Sequence, residues 1–68
     1  MKVLVAKRKN ETKLRYYNGK CFVIGKSRAV DVGKVNTEET INKFIENLYK
    51  YLDTTPERGT IDYFTMDI

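Results

Sequence analysis

The dipeptide Asn18-Gly19 constrains the fold of this chain more than any other feature of its sequence. It separates two short runs of alternating residues. A two-residue type I′ turn needs positive φ at both central positions, and Asn-Gly adopts that conformation at the lowest steric cost. The sequence therefore predicts a β-hairpin in which Tyr17 lies opposite Lys20.

This register sorts the hairpin side chains into two rows, because neighbours along a strand point to opposite faces of a sheet. The row expected to face the core is Leu14, Tyr16, Cys21 and Val23. The row expected to face solvent or a partner is Lys13, Arg15, Tyr17, Lys20, Phe22 and Ile24. Cys21 is accordingly expected to be a small buried side chain rather than a reactive thiol.

A strand is expected before the hairpin over residues 3–7, which are apolar and rich in β-branched side chains. A three-residue loop over residues 9–11 returns it antiparallel to the hairpin and sets Ala6 opposite Leu14, which extends the core row. After the hairpin, residues 25–28 indicate a turn or bulge. Residues 29–32 indicate either a short further strand or the bent continuation of the previous one.

From residue 36 the apolar spacing changes to the period of a helix. One stripe of that helix holds Ile41, Phe44, Ile45, Leu48 and Leu52. Asn36 or Thr37 can cap its start, and Pro56 forbids its continuation, so we expect the helix to end near Asp53.

The end of the chain has the composition of a strand and follows an expected turn over residues 56–59. Its two faces both carry apolar side chains: Ile61 and Tyr63 on one, Phe64, Met66 and Ile68 on the other. Either a central position in the sheet or a place in a dimer contact explains such a strand.

Together these elements predict one small domain spanning residues 1–68 with an α+β fold. We expect an antiparallel sheet of three to five strands with one helix packed on one face, in the order β-β-β-(β)-α-β. A domain of this size buries only about 60% of the surface that its unfolded chain exposes, so the core is expected to be thin.

The single cysteine excludes an internal disulfide and fits a reducing compartment, so a cytoplasmic protein is expected. No apolar run approaches the roughly 18 residues that a membrane span needs. The opening apolar stretch is also shorter than the roughly 7 to 15 residues of a signal peptide, so we expect neither a leader nor a membrane partner.

The usual catalytic constellations are missing from the sequence. It has no histidine, one cysteine and no glycine-rich phosphate loop, so we expect no enzyme activity, no cofactor and no metal site. Gly25, Lys26 and Ser27 match the end of a P-loop motif, but the first glycine of that motif would fall on Lys20.

Charge is divided unequally between the two halves of the chain. Residues 1–34 hold ten Lys or Arg against two acids, a net of +8, and residues 35–68 hold three against seven, a net of −4. Such asymmetry indicates an anionic partner for the basic half, or attraction between the halves within one fold.

A face that interleaves cations with rings is typical of a surface that binds single-stranded nucleic acid. The expected partner-binding residues are Lys7, Arg8, Lys9, Lys13, Arg15, Tyr17, Lys20, Phe22, Lys26 and Arg28. The first hypothesis is thus a small non-catalytic module that binds nucleic acid through a basic, aromatic sheet face.

Three alternatives remain open at this point. The same face fits an acidic protein partner, as in a small inhibitor or adaptor of the kind found in phages and mobile elements. The chain can also be a self-assembling structural protein that forms a homo-oligomer through its C-terminal strand. Finally, the rings and cations can simply stabilise the sheet, with Lys and Arg stems covering aromatic surface.

Overall fold

Four strands, a 3₁₀ turn and two helices make up the regular structure of the residues that the structure describes. The computed structural model describes residues 1–52 and 61–68, with side chains for residues 1–50 and 61–68. In chain order the elements are β1 (Lys2–Arg8), β2 (Arg15–Tyr17), β3 (Phe22–Val23), the 3₁₀ turn (Lys26–Arg28), α1 (Val32–Val35), α2 (Glu38–Leu52) and β4 (Ile61–Asp67). The expected turn over residues 56–59 and the expected helix end near Asp53 lie outside the described residues.

The sheet is antiparallel throughout, with the strand order β3-β2-β1-β4, which confirms the α+β expectation. β1 is an inner strand, and its residues Val3, Leu4 and Val5 are the most deeply buried large side chains among the described residues. β4 pairs with β1 along its full length and forms one edge of the sheet. Of the two explanations for its apolar faces, a central position in the sheet is therefore wrong for the strands that the structure describes.

Residues 29–32 do not form the short strand that was one expectation for them. A second helix, α1, begins at Val32 instead. Asp31 caps the start of α1, because its Oδ1 accepts hydrogen bonds from the backbone N–H groups of Gly33 (3.1 Å) and Lys2 (3.2 Å). An aspartate at this position satisfies helix donors that otherwise lack partners. The one-helix order predicted from the sequence is corrected accordingly.

The main helix α2 forms as the apolar spacing predicts. Thr37 caps it, since its Oγ1 accepts a hydrogen bond from the backbone N–H of Thr40 (3.2 Å). Ile41 is buried, and Ile45 and Leu48 pack against the same cluster on the sheet. Burial of this stripe attaches α2 to one face of the sheet.

The hairpin turn is centred one residue later than predicted. Gly19 has φ of +102° whereas no described non-glycine residue has positive φ, which excludes a type I′ turn over Asn18-Gly19. Asn18 instead uses its side chain, whose Oδ1 accepts from the N–H groups of Lys20 and Cys21 (2.9 Å each). Cys21 is consequently exposed in the turn rather than buried as expected.

The shift of the turn leaves the two rows of the hairpin intact. Tyr17 now lies opposite Phe22 rather than Lys20, and Tyr16 lies opposite Val23. Moving the turn centre by one residue changes each partner by two positions. Because side chains alternate with a period of two, residues that were predicted to share a face still do.

The pairing of β1 with β2 differs from the prediction by one residue, and this difference exchanges the faces. Ala6 lies opposite Arg15 instead of Leu14, and Val5 lies opposite Tyr16. A one-residue slip moves every side chain of a strand to the other side of the sheet. The row predicted to face solvent therefore lies on the helix side, and the row predicted to be core lies on the opposite side.

Aromatic rings from α2 and the sheet contact one another where the helix packs on the sheet. They form one continuous series, the ring row, in which neighbouring centroids lie 5.2 to 5.5 Å apart: Phe44, Tyr17, Phe22, Tyr63 and Tyr49. The hairpin row on this side supplies two rings, Tyr17 and Phe22, whereas the other row supplies one, Tyr16, and rings bury large apolar areas. The lysines of the same row, Lys13 and Lys20, lie in loops beyond these short strands and remain exposed.

The opposite side of the sheet, the outer face, is also apolar. It carries Val3, Val5, Tyr16, Val23, Phe64 and Met66. Val3 and Val5 have no exposed surface, and the other four side chains of this face are half-buried. On the helix side of the sheet, both described helices contribute to the core cluster around Leu4.

Replacement of Phe22 tests the exchange of faces. In Phe22→Ala the ring row loses its central member, and we expect the free energy of unfolding to fall by about 2 to 3 kcal/mol, less than for a fully buried phenylalanine. Lys20→Ala is the matched control and should change it by under about 0.5 kcal/mol. Urea denaturation measures both, and equal stability of the two variants would contradict the observed register.

Replacement of Asp31 tests the capping of α1. Asp31→Ala removes the acceptor for two backbone N–H groups and should lower the free energy of unfolding by about 1 kcal/mol. Asp31→Asn keeps an Oδ1 acceptor at the same place and should retain most of the stability. If both variants unfolded at the same urea concentration, the carboxylate charge rather than the acceptor would be responsible.

Candidate functional site

Cations are concentrated where β1 ends and β2 begins. Residues 7–15, here called the basic end, hold five of them and one acid, Glu11; the cations are Lys7, Arg8, Lys9, Lys13 and Arg15. Lys7 lies opposite Asp62 of β4, which offsets its charge within the sheet. In the sequence, residues 7–15 carry a net charge of +4.

Hydrogen bonds give this end of the sheet a defined shape. The chain leaves β1 at Arg8 and reverses there, since the backbone N–H of Glu11 donates to the Arg8 carbonyl oxygen (3.1 Å). The Glu11 carboxylate then accepts a hydrogen bond from Arg15 Nη1 (2.7 Å). Glu11 thereby orients the Arg15 side chain and also neutralises part of its charge.

A small cleft lies between the basic end and the ring row. We call it the arginine cleft. Its volume is about 200 Å³, and it is lined by Ala6, Arg8, Arg15, Phe22, Ile61 and Tyr63. Ala6 and Ile61 are buried and contact each other, with Phe22 and Tyr63 packed against them. The small Ala6 side chain leaves room for these two rings to approach each other from distant strands, with centroids 5.5 Å apart.

The cleft combines two arginine side chains with an apolar wall. Arginine presents a planar set of donors that matches phosphate or carboxylate oxygens in a bidentate manner. The cleft is smaller than the roughly 300 to 1,000 Å³ of pockets that hold drug-sized ligands. It therefore suits one anionic group or one flat ring of a larger partner rather than a whole small molecule.

The other expected binding residues lie apart from this cleft. Tyr17 and Phe22 belong to the ring row and pack beneath α2, so they do not form the exposed platform predicted from the sequence. Lys20 is exposed at the hairpin turn, at the far end of β2, and Lys26 and Arg28 are exposed in the 3₁₀ turn. Of the ten expected residues, the structure brings Arg8, Arg15 and Phe22 together in the cleft.

Three residues that line the cleft were not among those expected: Ala6, Ile61 and Tyr63. They reach the site because β4 pairs with β1, which sets Tyr63 opposite Ala6 and Ile61 opposite Arg8. Nothing in the local sequence of β4 specifies its neighbour in the sheet. The basic stretch itself is visible in the sequence, and the apolar wall beside it is not.

A second cavity, of about 230 Å³, lies between the two helices and the ring row. Its lining contains no charged side chain: Leu4, Tyr17, Val32, Asn36, Thr40, Ile41 and Phe44. An anion has no charged partner there. The arginine cleft is therefore the better candidate site.

Among residues 1–52 and 61–68, no group of three or more His, Cys, Asp or Glu side chains is placed to hold a metal ion. No helix in that part of the chain is long and apolar enough to cross a membrane. Comparison of the chain with protein-family models, curated proteins and solved structures found no match.

Glu11→Gln tests whether the Glu11–Arg15 ion pair is needed for the stability of the fold. The Arg15 and Glu11 side chains are 27% and 33% exposed, and ion pairs with this access to water contribute between about 0 and 1 kcal/mol. We therefore expect Glu11→Gln to lower the free energy of unfolding by less than about 1 kcal/mol, as measured by urea denaturation. A larger loss would mean that this pair is a structural requirement of the basic end.

Proposed function

We propose that this chain is a small non-catalytic module that binds nucleic acid through its basic end. The observation that supports this most directly is the arginine cleft, where Arg8 and Arg15 from neighbouring strands line one opening. Phosphate is a group that arginine recognises well, because a guanidinium can donate two parallel hydrogen bonds to its oxygens. Polynucleotides present phosphates at regular spacing along a chain.

The loop beside the cleft extends the same charge. Lys9 and Lys13 are exposed on either side of Glu11. Lysines on a loop act as point charges for neighbouring phosphates and release counterions when they bind. A polymer anchored at the cleft thus has further cationic partners along the basic end.

The packing of the ring row changes the mode of binding from the one expected from the sequence. Tyr17 is covered by Phe44 of α2, so Tyr17 and Phe22 do not offer bases the open stacking platform expected from the sequence. Only Phe22 and Tyr63 reach the cleft. Contacts to phosphates consequently dominate, and such contacts carry no sequence information, so we expect weak sequence preference.

Salt dependence tests the phosphate contacts. Fluorescence anisotropy with labelled single- and double-stranded oligonucleotides at about 50 and 200 mM salt should show log K falling by about 0.7 per phosphate contact on single strands and about 0.9 on duplex for each tenfold rise in salt. With five cations at the basic end, log K should fall by no more than about 3.5 on single strands and about 4.5 on duplex for each tenfold rise in salt. Undetectable binding to any DNA or RNA at the lower salt concentration would refute the proposal.

Three charge variants locate the contact. Arg15→Gln should weaken binding roughly tenfold, the equivalent of about 1.4 kcal/mol, because it removes a charge-assisted donor at the cleft. Glu11→Gln should strengthen binding, since it releases Arg15 from its carboxylate. Lys50→Gln, on the exposed side of α2, is the matched control and should bind like the wild type.

A pull-down from lysate with and without nuclease separates this proposal from an acidic protein partner. Loss of the captured material after nuclease treatment supports nucleic acid as the partner. A captured protein that resists nuclease and is released by Arg15→Gln would instead favour the inhibitor or adaptor alternative.

A further inference from the structure

We propose that two copies of this chain associate edge to edge through the C-terminal half of β4, around a two-fold axis at Met66. This inference is independent of the proposed nucleic-acid function. β4 is an edge strand, since β1 pairs with it on one side and no described strand pairs with it on the other. Its outer edge therefore presents backbone groups in the manner of a template for another strand.

The hydrogen bonds at the chain ends define which backbone groups point outward. Ile68 N–H donates to the Met1 carbonyl oxygen (2.8 Å), and the Met1 amino group donates to the Ile68 carbonyl oxygen (2.9 Å). Bonded and non-bonded pairs alternate along an antiparallel ladder. The backbone groups of Tyr63, Thr65 and Asp67 consequently point away from β1.

One of these outward positions is already occupied. The backbone N–H of Tyr63 donates to the hydroxyl oxygen of Tyr49 (2.9 Å), so a side chain of α2 caps the edge there. The outward groups of Thr65 and Asp67 have no partner in the part of the chain that the structure describes. β4 also lacks the lysine, proline or bulge that commonly protects an edge strand.

A two-fold axis at Met66 uses the open positions and leaves the capped one undisturbed. It pairs Thr65 of each copy with the partner's Asp67, and both pairs exchange backbone hydrogen bonds. The Thr65 and Asp67 side chains share the helix side of the sheet, so a hydroxyl donor meets a carboxylate at both ends of the contact. Met66 meets the partner's Met66 on the outer face.

The chemistry of this edge favours a second copy over a charged partner. The two acids of β4, Asp62 and Asp67, lie opposite Lys7 and Lys2 of β1, so the local charge is balanced within one sheet. Phe64 and Met66 are half-buried on the apolar outer face. Edge-to-edge pairing joins the outer faces of both copies into one sheet of eight strands, with both α2 helices on the same side.

Cysteine cross-linking tests the position of the axis. In a Cys21→Ser background, Met66→Cys places two thiols in a non-hydrogen-bonded pair with Cα atoms about 4.5 Å apart, within disulfide range. Phe64→Cys is the control on the same strand and face, where the two Cα atoms would lie roughly 13 Å apart. After mild oxidation at about 100 μM, a concentration chosen to favour the dimer, non-reducing electrophoresis should show a dimer for Met66→Cys and a monomer for Phe64→Cys.

Thr65→Pro provides a second variant that acts on the dimer alone. The Thr65 N–H points outward, so proline removes a donor from the proposed contact and none from the β1 ladder. Light scattering at about 1 mM, where weak association is detected, should give the wild type twice the mass of Thr65→Pro, whose circular dichroism should remain that of the folded chain.

Three results would overturn the proposal. The first is a wild-type monomer at that concentration. The second is cross-linking through position 64 in preference to position 66. The third is a folded Thr65→Pro variant that still dimerises.

Discussion

The pairing of Val5 with Tyr16 determines which side of the sheet is covered by the helices. It places Leu4 and Ala6 on the same face as Tyr17 and Phe22, and the stripe of α2 packs on that face. Because side chains alternate along strands, a pairing one residue away would send the rings to the opposite side. The ring row, the arginine cleft and the apolar outer face all depend on this one register.

The positions of the cations at the margin of the packed rings determine the proposed binding surface. Arg15 shares the ring face but lies at the start of β2, so its guanidinium reaches Glu11 at the margin of the fold. Arg8 ends the neighbouring strand. The site is therefore formed by strand ends and a loop, and the middle of the sheet serves packing on the helix side.

Much of the fold was predictable where a local pattern decides it. The apolar spacing predicted α2, and alternation predicted which hairpin side chains share a face. The sequence offered Asn36 or Thr37 as the cap of α2, and Thr37 is the one observed. The register of β1 was not predictable, because the chain reverses through residues 9–14 rather than a three-residue loop. The turn centre depended on the Asn18 side chain, which competes for backbone donors. Within the candidate site, contiguous cations were visible in the sequence, whereas the apolar wall from β4 depends on long-range pairing.

The most direct test of the register is the set of proton contacts observed by nuclear magnetic resonance. Val5 and Tyr16 form a non-hydrogen-bonded pair, in which the two Hα atoms are close, so the register predicts a cross-strand Hα–Hα contact between them. It also predicts contacts between the rings of Tyr17 and Phe44. Contacts that pair Ala6 with Leu14, together with a Tyr17 ring that touches no residue of α2, would contradict it.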